Sequence, residues 1–268
     1  MADRAPRSDK GSGSSPSSGR PTARRARTRA ALAKLATPRD PLTSLVLTLP
    51  VFLAYHLGIV FIDLRNGADL VSGLVVALVH ASLPLYVALT VGVALGLGIA
   101  VYFLRGKNVL RLSSIGPVIA ESTAWAAGMW LLVGWATARL VGAIAVPSDA
   151  ALQIGGRSLG VLERVVMAAG AGFHEEIVFR VMVFGGLSWL LTARQVPRVR
   201  ADLAAGFVSA IVFSAAHYIG PLGDEFQLGS FVFRALCGLY LALVFRLRGF
   251  AVAVYAHALY DIAVFFLM

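Results

Sequence analysis

Long apolar segments recur along this chain, and they constrain its fold more than any other feature. From residue 42 onward the sequence predicts seven of them, at 42–62, 71–104, 117–143, 160–192, 201–218, 229–245 and 250–268. An apolar helix of roughly 17–25 residues crosses the hydrocarbon layer of a bilayer. With 58% hydrophobic and 14% charged residues, a soluble fold could not hide this surface. We therefore predict an all-α fold, a polytopic transmembrane helical bundle.

Two of these segments, 71–104 and 160–192, are too long for one simple membrane-crossing helix. Pro84 and the pair Gly170/Gly172 are places where a helix can break or kink. The predicted number of spans is therefore about seven to nine, in one transmembrane domain at 41–268. The single cysteine, Cys237, excludes an intrachain disulfide and a multi-cysteine metal site.

The segment 1–40 differs from the rest, because ten of the 24 Lys and Arg residues lie within its first 39 positions. It is rich in Ser, Gly and Pro, so we expect a disordered basic tail. Such a tail beside a first span is attracted to anionic lipid headgroups and stays in the cytoplasm. The net charge of +10 thus indicates membrane lipid as a partner and not nucleic acid, since no folded basic face accompanies the tail.

Loops rich in Lys and Arg alternate with loops poor in them, as the positive-inside rule requires. The basic loops are 105–111, 193–200 and 246–248. The intervening loops, with at most one Lys or Arg each, are 63–69, 147–157 and 219–227. Seven spans with a cytoplasmic N-terminus fit this alternation.

Ionisable residues inside apolar segments are costly and mark candidate sites. On an α-helix Glu176 and Arg180 share a face, so Arg180 can neutralise Glu176. Glu175 points about 100° away and is the carboxylate left for other chemistry. His174 precedes this pair as in the zinc-protease motif HExxH, but Val178 stands where the second histidine belongs, which excludes that motif.

Two further clusters lie in later segments. His217 is near the end of its span, where a histidine bonded to a carbonyl is the ordinary interpretation. His257 and Asp261 share a helical face, so they could form a structural pair or hold one ligand together. A glutamate, two histidines and an aspartate on three segments are nonetheless the parts of a hydrolytic site.

Other polar residues in or near the spans are interpreted mainly as interfacial or packing residues, and Glu121 and Arg234 as candidates to support the site. The full set is His56, His80, Glu121, Arg139, Glu163, Arg164 and Arg234.

In order, the three clusters read EExxxR at 175–180, FxxxH at 213–217 and HxxxD at 257–261. In these motifs the chain resembles the CAAX protease and bacteriocin-processing family (CPBP, also called Abi), which are multi-span intramembrane proteases. The resemblance implies hydrolysis of a peptide bond in a membrane-embedded or lipidated peptide or protein. It places Glu175 and His217 at the water, and His257 and Asp261 at a metal or the oxyanion. The expected catalytic core is 160–268, in a bacterial inner membrane.

Asp261 occupies a position where many members of that family have Asn. Asn can donate a hydrogen bond to an oxyanion, whereas an ionised Asp cannot. Glu, two His and Asp are acceptable ligands of zinc (Zn²⁺) with one position left for water. We therefore expect zinc on Glu175, His217, His257 and Asp261, and keep a metal-free glutamate mechanism as the alternative, because a protonated Asp261 would restore the donor.

Two other functions remain open at this level: an ion-coupled transporter, and a catalytically silent scaffold of the same fold. A transporter often shows matching halves, and no such repeat is evident. One geometric conflict also stands. At 1.5 Å per residue, Glu175 and His217 lie about 25 Å deep and His257 about 15 Å deep, so we expect a broken segment near Gly170 or shifted boundaries.

Overall fold

The computed structural model describes residues 41–62, 64, 66–69, 82–104, 114–141, 153–154, 157–219 and 223–267. The predicted tail at 1–40, His80 and the basic loop 105–111 lie outside these residues. Within them the chain forms seven helices. They are α1 (Pro41–Gly58), α2 (Leu83–Leu104), α3 (Ile115–Val141), α4 (Val161–Ala193), α5 (Arg198–Ala216), α6 (Leu228–Arg248) and α7 (Phe250–Leu267). Before α4, the two-residue strands β1 (Gln153–Ile154) and β2 (Arg157–Ser158) pair antiparallel.

The helices α2 to α7 are each long and apolar enough to cross a membrane, and Thr43–Gly58 is a shorter apolar helix. Large apolar side chains are exposed on their outer faces, among them Leu95, Leu131 and Trp189. An outer surface of this kind requires lipid around it. The predicted polytopic helical membrane protein is confirmed.

The second predicted segment does not form one helix over its whole length, because α2 begins only at Leu83. Pro84 is therefore in the first turn. Proline is tolerated there since the first amide groups of a helix have no partner within it. The preceding residues 71–81 lie outside the described part of the chain.

The expected break at Gly170 and Gly172 is absent, since α4 continues through both and Gly170 has helical angles (φ −61, ψ −50). The two glycines allow close packing instead. A Cβ at position 170 would lie 2.5 Å from the Tyr55 ring, and one at 172 would lie 2.7 Å from the Ala258 Cβ. They bring α4 against α1 and α7.

The hydrogen-bond pattern changes inside α4. Residues Ala171–Gly185 are π-helical, between α-helical turns at Val161–Gly170 and Gly186–Ala193. Bonds from i to i+5 widen each turn, so the helix rises less per residue than the 1.5 Å of an α-helix. The depth of Glu175, counted as if the helix were purely α, was therefore too large, which removes part of the geometric conflict.

Helix α7 forms the centre of the bundle. Every residue from Ala251 to Ala258 is buried, and the helix packs against α1, α3, α4 and α6. Four of these eight residues are alanines, and small side chains let membrane helices approach closely. His257 is thereby held inside the bundle and next to α4.

Candidate active site

His257 is the point at which the predicted clusters on α4 and α7 meet. Its Nδ1 lies 2.8 Å from Glu176 Oε1. Its Nε2 lies 3.9 Å from Glu175 Oε2 and 3.7 Å from Asp261 Oδ2. Three carboxylates thus surround one buried imidazole.

Both adjacent glutamates face His257, which differs from the predicted separation of about 100° on an α-helix. The π-helical turns contribute to this, because more residues per turn reduce the angle between neighbours. The predicted Glu176–Arg180 pair is present, with Arg180 Nε 3.2 Å from Glu176 Oε2.

Arg180 is fully buried. Its guanidinium nitrogens make no well-aligned hydrogen bond to the described residues, although Nε lies 3.2 Å from Glu176 Oε2. The guanidinium carbon lies 4.7 Å from the centre of the Phe213 ring, so the ring face and the Glu176 carboxylate together offset its charge.

Glu175 is held at one oxygen only. Its Oε1 accepts a hydrogen bond of 2.8 Å from Asn66 Nδ2, whereas its buried Oε2 has no donor among the residues that the structure describes. Such a buried polar atom is rare, because leaving it unpaired costs about 1–3 kcal/mol. Asn66 was missed in the sequence, where nothing separates it from other loop residues.

His217 ends α5, and its Nδ1 donates a 2.8 Å hydrogen bond to the Phe213 carbonyl. The carbonyl can only accept, so Nε2 is the nitrogen that remains for chemistry. The Phe213 ring centre is 4.9 Å from that of His217 and 6.0 Å from that of His257. The two histidines therefore lie against the same ring, close enough for their charges to interact.

Residues 157–263 match the family model of the type II CAAX prenyl endopeptidase Rce1-like proteins. Over these residues the chain is similar to the CAAX protease family. The resemblance seen in the three motifs is confirmed, and the matched Rce1-like region contains all four predicted catalytic residues. No curated protein and no solved structure matches the chain.

A second cluster of ionisable groups lies beside the Rce1-like motifs. His174 Nε2 is 3.1 Å from His56 Nε2 on α1 and 3.9 Å from Asp69 Oδ1. All three residues are buried, and their ligand atoms lie within 4.8 Å of one another. The sequence interpretation missed this group: His56 was taken as a packing residue, and His174 was dismissed with the zinc-protease motif. The available signal was a histidine in each of two apolar segments.

A short chain of hydrogen bonds joins the second cluster to the Rce1-like site. The Tyr55 hydroxyl donates to Asp69 Oδ2 over 2.8 Å and accepts from the Asn66 amide over 2.9 Å. The Asn66 side chain in turn donates to Glu175. The segment 66–69 therefore contacts both clusters, although it precedes the matched region.

The two residues expected to support the site pair elsewhere. Glu121 forms an ion pair with Arg248 and accepts a hydrogen bond from Trp125. Arg234 pairs with Asp224, but it is also close enough to His217 for their charges to interact.

The remaining polar residues near the spans have local contacts. Glu163 accepts a hydrogen bond from the Gly160 amide at the start of α4, Arg164 donates to the Phe265 carbonyl, and Arg139 lies over the Trp135 ring.

Proposed function

We propose that this protein is an intramembrane endopeptidase in which Glu175 activates the attacking water. One observation carries the proposal: Glu175 Oε2 is buried, has no donor among the described residues and faces His257 Nε2 at 3.9 Å. That distance is too long for a direct hydrogen bond. It suits a water molecule bonded to both atoms. The match of residues 157–263 to a family of endopeptidases supports the same type of activity.

In the proposed reaction, Glu175 takes a proton from the water as its oxygen attacks the scissile carbonyl carbon. Asn66 fixes Oε1, so that Oε2 is the oxygen directed at the water. The Nε2 of His217 accepts a second hydrogen bond from the same water. Glu175 then gives its proton to the leaving amine, and the peptide bond breaks.

The developing oxyanion needs hydrogen-bond donors. We assign this role to His257 Nε2 and to Asp261 in its protonated form, since Asp261 Oδ2 lies 3.7 Å from His257 Nε2. The Glu176 carboxylate at Nδ1 holds the ring and compensates its positive charge when both nitrogens carry protons.

Zinc on Glu175, His217, His257 and Asp261 stays a prediction. Their chemistry suits the ion, which would supply a Lewis acid for the carbonyl oxygen. Their spacing suits the ion less. Among the described residues, the group whose ligand atoms lie within 4.8 Å of one another is not these four but His56, Asp69 and His174. The proposed reaction of Glu175 with the water therefore contains no metal step.

For the substrate we propose a lipidated or membrane-embedded peptide, because the site lies within a bundle of apolar helices. We further propose a location in a bacterial inner membrane with the N-terminus in the cytoplasm, an orientation that the basic loops and tail support.

The test compares wild-type protein with Glu175→Gln, both reconstituted in nanodiscs and incubated with bacterial membranes. Mass spectrometry counts peptide termini that appear with time. We expect new termini with wild type and none above background with Glu175→Gln. Glu163→Gln is the matched control, because it changes a glutamate on the same helix that caps its start, and it should behave as wild type. Equal numbers of new peptide termini with wild type and with Glu175→Gln would contradict the proposal.

A further inference from the structure

The second cluster has the composition of a metal site. It contains two imidazole nitrogens, His56 Nε2 and His174 Nε2, and one carboxylate oxygen, Asp69 Oδ1. Two histidines and one carboxylate with an open position are a common ligand set for zinc and for related divalent transition metals. We propose that these three residues bind such an ion.

The spacing of the three atoms agrees with one ion between them. Tetrahedral zinc with bonds of about 2.0–2.1 Å separates neighbouring ligand atoms by roughly 3.3 Å. The two His Nε2 atoms are 3.1 Å apart, and His174 Nε2 is 3.9 Å from Asp69 Oδ1. These two distances lie on either side of that value, and all three atoms lie within 4.8 Å of one another, so shifts of up to about 1.5 Å complete the site.

Outer hydrogen bonds orient two of the three ligands. The Tyr86 hydroxyl lies 2.8 Å from His56 Nδ1, so a proton on Nδ1 leaves the lone pair of Nε2 directed at the cluster. The Tyr55 hydroxyl donates to Asp69 Oδ2 and leaves Oδ1 on the side of His174. Metal-binding histidines and carboxylates are usually held in this way by outer partners.

Burial separates this cluster from an ordinary surface group of acids and histidines. His56, Asp69 and His174 are 2%, 8% and 4% exposed. An ion here joins α1, the segment 66–69 and α4. It would thereby hold Asn66, which is three residues before Asp69 and donates to Glu175. The inference does not depend on the proposed peptidase activity, because its test measures bound metal.

The experiment uses full-length protein in detergent, stripped with chelator, reloaded with zinc chloride and freed of excess metal. Elemental analysis gives zinc per protein, and a cobalt-loaded sample gives the visible absorption of tetrahedral cobalt. We expect one equivalent in wild type and its loss in Asp69→Asn, which keeps the side-chain shape and the acceptor for Tyr55. Tyr86→Phe removes only the hydroxyl beside His56 and should weaken zinc binding about 10–100-fold, which gives a second reading if Asp69→Asn fails to fold.

Glu175→Gln and His257→Gln are the matched controls, because they change the neighbouring active site and should keep the equivalent of zinc. Wild-type protein that binds no zinc and shows no cobalt bands would overturn the inference. Zinc that is lost in His257→Gln but kept in Asp69→Asn would also overturn it, and would place the ion on the four residues predicted from sequence. Failure of the peptidase proposal would appear separately, as an absence of Glu175-dependent cleavage.

Discussion

Glu176 Oε1 accepts a 2.8 Å hydrogen bond from His257 Nδ1 inside the helical bundle. This contact explains why two glutamates stand side by side in an apolar segment. Glu176 holds the imidazole and balances Arg180, while Glu175 keeps one oxygen for the proposed reaction. Neighbouring residues of the same type thus have different partners and different proposed roles.

The first prediction concerns the buried charges of Glu176 and Arg180. Glu176→Gln leaves the Arg180 guanidinium without its carboxylate, and breaking a buried pair in this way costs about 3–5 kcal/mol. We expect a clear fall in the thermal unfolding temperature in detergent, together with loss of cleavage.

The double variant Glu176→Gln/Arg180→Met tests the cause of that fall. It removes both charges, so most of the stability should return. Cleavage activity should stay low, because the Glu176 carboxylate that accepts the hydrogen bond from His257 Nδ1 is still missing. If the double variant is no more stable than Glu176→Gln, the ion pair is not the source of the loss.

The second prediction concerns Asn66, which positions Glu175. Asn66→Asp keeps the Oδ1 that accepts the Ala68 amide, but it replaces the amide donor with a negative charge near Glu175. We expect kcat to fall about tenfold or more with KM little changed, because the substitution acts on the carboxylate that activates the water. The kcat of Asn66→Ser, which retains a small hydrogen-bond donor, should lie between those of Asn66→Asp and wild type. An unchanged kcat in Asn66→Asp would remove Asn66 from the site.

Patterns local in sequence were predictable. Segment length and apolarity placed the helices within a few residues, except at the start of α2. The four-residue spacing paired Glu176 with Arg180 and put His257 and Asp261 on one helical face, where the structure has them 3.7 Å apart. Contacts that depend on helix geometry were not. Glu175 faces His257 from within the π-helical stretch at Ala171–Gly185, which no residue pattern indicated.

Long-range contacts were likewise beyond the sequence interpretation. Asn66 and Glu175 are 109 residues apart, and His56 and His174 are 118 apart. The close approach of α1 to α4 brings these pairs together. Gly170 permits that approach, but the sequence suggested a break at this glycine.

The third prediction separates a metal-free active site from the zinc site predicted from sequence. In the metal-free mechanism, position 261 donates a hydrogen bond to the oxyanion. Asp261→Asn should therefore retain cleavage activity within a few-fold of wild type, and Asp261→Ala should lose it, both measured in the cleavage assay. If Asp261→Asn loses both activity and bound zinc, the aspartate is a metal ligand instead.

The fourth prediction concerns the contact between α4 and α7. A Cβ at Gly172 would lie 2.7 Å from the Ala258 Cβ and 2.8 Å from the Val254 carbonyl oxygen. Because a backbone atom cannot move aside as a flexible side chain can, Gly172→Ala must push the helices apart. We expect a loss of about 1–3 kcal/mol of stability, and loss of cleavage as Glu175 and Glu176 move away from His257.

Gly186 provides the matched control on the same helix, since a Cβ there meets no atom within 4 Å. Alanine favours a helix over glycine by up to about 1 kcal/mol, so Gly186→Ala should be neutral or slightly stabilising and fully active. Thermal unfolding in detergent and the cleavage assay on the same samples measure both effects. If Gly172→Ala unfolds and cleaves as Gly186→Ala does, α4 and α7 do not need their close contact, and the distances around His257 are not what sets the activity.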